Sequence, residues 1–429
     1  MRLAATIVIA GLLAGAAPGL AQEAGETDVA GFQRLRAEGV AAANADDLAT
    51  AAARLAEADG RLPNHPGMML MRARLAAGAG QPEEALAHVR RYADAGLVVN
   101  LAGDQTLSTL ADQPGFEAVA AAVEANRAPV GADRLRPLAA IPGTGLVESV
   151  ARDEARGRWL VAMIRDRTIV ALDDAGGVSP FLVAGAEIGG VLGLAIDGSA
   201  GVLWAATAPL PPAVHGRAAD SPPPVSALLK IDVSSGRELA RYPAPGADQM
   251  LGDVTLAPDG TVYVAGGVLF ELRPGGEALK VLLPMDQIRS PQGMAVTPDA
   301  AAVIAADYSS GVWRVERATG AATRLQAPAN ASLIGIDGLI SDGRFVYALQ
   351  NGVAPQRVLR LTLDAGWRRI EAVEVLAASL PQLDEPTTGL VHDGELVFVS
   401  RSQWSDFDGE GALRTPGPAP ALISRLRLD

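Results

Sequence analysis

The chain is 429 residues long and carries 36 Lys and Arg against 49 Asp and Glu, a formal charge of −13. Its length suits about two or three domains, and 49% hydrophobic with 20% charged residues excludes a disordered chain. The acidic balance, with no compensating Lys/Arg cluster, excludes nucleic acid as a partner. Absence of cysteine removes thiol catalysis, zinc–thiolate sites, iron–sulfur clusters and disulfides. His65, His88, His215 and His392 include no pair at helical spacing, so a multi-histidine metal site is not expected.

Met1 and Arg2, the apolar run Leu3–Leu13 and the small residues up to Gly19-Leu20-Ala21 have the layout of a secretory signal peptide over residues 1–21. The run is about half of the roughly 20 apolar residues a spanning helix needs. No later stretch is long and apolar enough, so no membrane span is expected and the mature chain is placed in the periplasm or outside the cell.

Residues 29–126 read as a helical domain. Phe32, Leu35, Val40 and Ala43 share one face of a first helix, interrupted at Asn44-Ala45-Asp46, and Leu48, Ala52, Leu55 and Ala56 continue as a second. Met68, Met71 and Leu75 mark a third. Pro82 followed by Glu83-Glu84 opens a fourth, with the acids at the positive end of the helix dipole. The stretch Gly80-Gln81-Pro82-Glu83-Glu84-Ala85-Leu86 resembles the start of a second helix in tetratricopeptide repeats. That resemblance implies a surface for a peptide or protein partner; a helical domain that only packs on its neighbour is the alternative.

Residues 127–133, with Pro129 and Gly131, read as a linker. From 134 to 429 the periodicity changes, and runs such as Trp159–Ile164, Thr261–Ala265, Phe345–Leu349 and Glu395–Ser400 are strand material. A recurring phrase, in most copies a residue followed by Gly and an apolar residue, opens at Glu148, Leu192, Gly252, Gln292, Asp337 and Thr388. The intervals of 44, 60, 40, 45 and 51 residues suit four-stranded propeller blades. No seventh copy is found. The last copy ends one strand short near Ala421–Leu428, and Leu135–Ile141 is expected to supply that strand and close the ring. The expected fold class is thus α + β multidomain, a short helical module followed by an all-β six-bladed propeller.

In a propeller the residues opening the first strands converge on the axis. Two carboxylates and one amide there, from Glu148, Asp337 and Gln292, make an oxygen-rich mouth suited to a hard cation. Acids that only bond backbone amides are the alternative. The region resembles the senescence-marker-protein/gluconolactonase (regucalcin-like) propellers in Val147-Glu148-Ser149-Val150, Pro291-Gln292-Gly293-Met294 and Ile336-Asp337-Gly338-Leu339. The resemblance implies a divalent-metal site of Glu148, Gln292 and Asp337, filled by Ca²⁺ with Zn²⁺ or Mn²⁺ as alternatives, and a catalytic role for Asp337. It also implies that Gly252-Asp253-Val254 lies on the substrate side. Gln292 and Gly252 both stand where the family has asparagine.

Loops on the same face place Arg165, Asp307 and Trp404, with Asp253, as the expected contacts of a small-molecule ligand at the channel mouth. Two insertions, Ala208–Pro224 with His215 and Ser405–Pro420, lengthen that side. Two functional readings follow: an exported metal-dependent hydrolase of lactone or sugar-acid-like substrates, or a non-catalytic periplasmic scaffold for protein interactions.

Overall fold

The computed structural model describes residues 26–182, 188–211, 214, 224–246, 249–284 and 287–429. The signal-like residues 1–21, His215 and most of the 208–224 insertion lie outside the described residues.

Five helices, Asp28–Asn44, Leu48–Arg61, Pro66–Gly78, Pro82–Asp94 and Phe116–Ala125, form the N-terminal module. Their starts are set locally. Thr27 Oγ1 and Asp47 Oδ1 accept the Ala30 and Thr50 amides at 3.2 and 3.0 Å, and Pro66 and Pro82 occupy first-turn positions where no amide hydrogen is needed. The first two helices pack around Phe32, Leu35, Leu55 and Leu62. The third and fourth pack around Ala73, Ala85, Val89 and Leu107.

Six four-stranded antiparallel sheets follow. Blades 1 to 5 span residues 147–180, 190–243, 251–283, 291–324 and 336–378, each in sequential strand order. Blade 6 is composite: Gly389–His392, Glu395–Arg401 and Ala421–Arg427 are joined by the early strand Leu135–Ile141, which pairs with Ala421–Arg427. The expected closure of the ring is observed: the early strand gives blade 6 its fourth strand and ties the two ends of the propeller together.

The core lies between blades rather than within one. In Val202–Ala208, Leu203 and Ala205 pack toward blade 1, while Val202, Trp204 and Ala206 pack toward blade 3. Both faces of each middle strand are buried, so these strands read as continuous apolar runs instead of alternating ones. Six such clusters, one per junction, complete the circle.

The first strands line the axis, and five of the six carry a register irregularity near the second residue, at 147–149, 191–194, 251–254, 291–294 and 336–338. Such a bulge re-aims the side chain it carries. Glycine follows because the next inner strand is close: a Cβ on Gly293 would stand 2.0 Å from Leu339 N, and one on Gly338 2.2 Å from Thr387 O. The recurring x-Gly phrase is the signature of this packing.

The helical module, read from the sequence as a separate domain with few contacts to the propeller beyond its linker, makes several. Val98 N–H bonds Ala354 O at 2.7 Å, Asn64 Nδ2 bonds Pro328 O at 3.2 Å and Arg324 Nη2 bonds Arg61 O at 3.3 Å. Val29 joins the core between blades 3 and 4. Val130 in the connecting segment forms a bridge with Ala378. Pro328 and Ala354 lie in connections, and Ala378 ends a strand, on the face where the inner strands begin, so the module sits beside the channel mouth.

Candidate functional site

Glu148, Gln292 and Asp337 are each the second residue of an inner strand, in blades 1, 4 and 5. Asp253 is the third residue of its strand in blade 3, where other blades carry Ser149, Gly193, Gly293 and Gly338. All four polar residues are half-buried: each borders the channel yet is ringed by protein.

The acids interact. Burial raises Glu148 well above the usual carboxylate range, and the charges of Asp337, Asp253 and Glu385 push the same way against a 2.7 Å hydrogen bond from Trp404 Nε1. Burial and the Asp337 charge take Asp253 up to about 8. Asp337 is raised by burial, opposed by Asn351 Nδ2, which donates to its Oδ2 at 2.6 Å. Glu385, in the connection leading to blade 6, is carried to about 7 by burial and by the charges of Asp337 and Asp384. No Arg or Lys pairs with Glu148, Asp253, Asp337 or Glu385 among the described residues. Asp253 Oδ2 is buried without a hydrogen-bond partner. Four acids thus feel one another's charge with no counter-charge among the described residues, an arrangement that draws in either protons or a cation.

The rim is two-sided. Leu146, Ile164, Val214 and Phe407 are buried beside blades 1 and 6, with Leu192 and Trp404 packed on them. Gln403 shapes this side from a left-handed backbone (φ 79°), its amide accepting from Leu146 N at 3.2 Å and donating to Gly143 O and Ala419 O. Across the mouth stand Asn351 and Tyr308, whose hydroxyl donates to Asn351 Oδ1 at 3.0 Å.

The sites expected from sequence fare differently. Trp404 lies at the mouth, bonded to Glu148. Arg165 lies on the same side with its guanidinium over the Phe407 ring at 5.6 Å. Asp307 is corrected: it is fully buried, its Oδ2 accepting the Arg289 and Ser290 amides and its Oδ1 the Ser309 amide and the Ser309 and Ser310 hydroxyls. Its oxygens are saturated by its own loops and leave nothing for a ligand. Glu385 was not anticipated, and no local pattern marks it; Asn351 and Tyr308 lie in the loops that follow the second strands of blades 5 and 4.

Among the described residues no group of three or more His, Asp and Glu side chains is arranged to hold a metal ion. A site built here draws on fewer acids, with the Gln292 amide; its Nε2 donates to Ser290 Oγ at 3.3 Å, which turns that end of the amide away and leaves Oε1 as the remaining acceptor.

No family model matches the chain, and no curated protein matches it in sequence. Solved structures resemble part of the chain. A PQQ-bound aldose sugar dehydrogenase of Streptomyces coelicolor is 15% identical (TM-score 0.46), over 68% of this chain and 98% of that one. A gluconolactonase of Xanthomonas campestris is 14% identical (TM-score 0.46), over 69% and 91%. Virginiamycin B lyase of Staphylococcus aureus is 13% identical (TM-score 0.45), over 69% and 99%. These values concern the fold only.

Proposed function

We propose that the channel mouth is the active site of an exported hydrolase acting on a lactone or sugar-acid-like ester. The observation that carries this reading is that four acids feel one another's charge with no counter-charge among the described residues. The all-oxygen donor set, in which Gln292 Nε2 is turned to Ser290 and Oε1 is left as an acceptor, fits a hard divalent cation, with Ca²⁺ preferred over Zn²⁺ or Mn²⁺. Glu148, Gln292 and Asp337 would hold it, and the cation would supply polarisation of a carbonyl oxygen.

The remaining chemistry belongs to the chain. Asp337, raised toward neutrality, is suited to take a proton from the attacking water. Asn351 fixes the carboxylate that does so, and Trp404 fixes Glu148. Asp253 holds its proton at pH 7 and so donates to a substrate hydroxyl or ring oxygen, where Gly252 offers no side chain. Leu192 and Trp404 cover the carbon face of the ligand and exclude water.

Calorimetric titration of the purified protein with Ca²⁺, Zn²⁺ and Mn²⁺, then a panel of lactones, tests the reading. Saturable one-site binding is expected, strengthened in Gln292→Asn and lost in Asp337→Asn. No saturable binding to the unmutated protein sinks it. One observation favours the scaffold reading instead: among the described residues no three acids are placed to hold one metal ion. That reading expects no cation binding and a peptide or protein partner on the helical module.

A further inference from the structure

One of the segments through which the helical module meets the mouth face is residues 350–357. Arg357 is 3% exposed and opens the third strand of blade 5. Its Nη1 donates to the Ala95 and Gly96 carbonyls at 2.9 and 3.2 Å, just past the helix Pro82–Asp94. A cation there satisfies end carbonyls and meets the negative end of the helix dipole. Its Nε donates to Gln350 Oε1 at 2.6 Å, and Val353 packs against Met69, Tyr92 and Leu97. From this side the segment is clamped by the helices.

Its other side reaches the acids. Asn351 Nδ2 donates to Asp337 Oδ2 at 2.6 Å and to Pro386 O at 3.1 Å. Gln356 Oε1 accepts the Glu385 amide at 2.6 Å, holding a residue whose backbone is left-handed (φ 54°). Thr387 Oγ1 then donates to Glu148 O at 2.6 Å. Gly352 fits closely between: a Cβ there would stand 2.6 Å from both Gly335 Cα and Tyr308 Oη.

We propose that Asn351, Gln356 and Arg357 are positioning residues through which the docked helical module fixes Asp337 and the 385–387 connection at the channel mouth. The consequence for cation binding rests on the reading of Asp337 and Glu148 as cation-holding carboxylates; the mechanical linkage does not.

Hydrogen–deuterium exchange on the full chain, compared with Arg357→Met, tests the linkage. Exchange should quicken at residues 95–98 and 350–357 and also at 384–388, with the propeller cores unchanged. Ca²⁺ affinity measured by calorimetry should fall about ten-fold, and Arg357→Lys should restore most of it. Loosening at 95–98 with unchanged exchange at 384–388 overturns the proposal. If the unmutated protein binds no Ca²⁺, the proposed function fails while the exchange comparison still decides the linkage. If Arg357→Met does not fold, Val353→Ala, which loosens the packing on Met69, Tyr92 and Leu97, takes its place: quicker exchange at 384–388 upholds the proposal, and unchanged exchange there overturns it.

Discussion

The two ends of the same propeller strands carry acids in opposite circumstances. At the end away from the mouth, acids sit in tight turns and are matched. Asp153 pairs with Arg156 and Arg158 at 3.2 and 2.9 Å, and hydroxyl and amide donors of Ser199 and Ala200 hold Asp197 below the usual carboxylate range. The Thr297 hydroxyl does the same for Asp299. At the mouth, Glu148, Asp253, Asp337 and Glu385 have few donors and no basic partner, and all are raised. The turn end uses its carboxylates to hold the fold; the mouth keeps them at a cost in stability. Spending stability in this way is characteristic of a working site.

Breaking the matched end should have the largest effect. Asp153→Ala removes a 2% exposed carboxylate and strands two arginines, so unfolding in urea should show a loss of about 2–3 kcal/mol. The mouth should respond in the opposite sense. Asp337→Asn removes one of the repelling charges, so without added cation its Tm should rise by a few degrees while Ca²⁺ affinity falls at least about 100-fold. An equal loss of Tm in both variants would erase the contrast.

The pH dependence sharpens it. A carboxyl raised by folding binds more protons folded than unfolded, so its contribution falls as pH rises from the usual value near 4 through the folded value. For Asp253 that window ends at about 8 and for Glu385 at about 7. The lowered turn acids work the other way, contributing above about pH 4 and losing that contribution as pH falls below it. Thermal melts in a chelator should therefore peak near pH 4–5 and decline toward pH 8, and added Ca²⁺ should offset the decline. The smallest effect is expected at Thr387→Val, which leaves the Glu148 carbonyl without its 2.6 Å donor: about 1 kcal/mol in stability and a few-fold in Ca²⁺ affinity.

Much of this was legible in the chain. The x-Gly phrases marked the inner strands because a glycine is needed where one strand backs onto the next, and the missing last strand pointed to Leu135–Ile141. The same phrases marked Glu148, Gln292 and Asp337, since a bulge at a fixed place in five of the six blades aims the same position inward. Asp307 misled, because an acid in a mouth-side loop reads alike whether it faces a ligand or closes its own turn. Glu385 was invisible, sitting in an irregular connection with no period.

The sequence by itself thus determined the helical module, the six blades, the seam and the ring of residues that opens the inner strands. Each follows from periods, turns and spacings confined to one blade or one helix pair. Only the tertiary structure decided which acids share a field, that none has a basic partner among the described residues, and that the helices dock beside the mouth. These depend on distances between residues remote in the chain, such as Trp404 and Glu148, 256 positions apart, or Arg357 and Ala95, 262 apart. Charge interactions fall with distance in space and are blind to distance along the chain, so no local pattern can carry them.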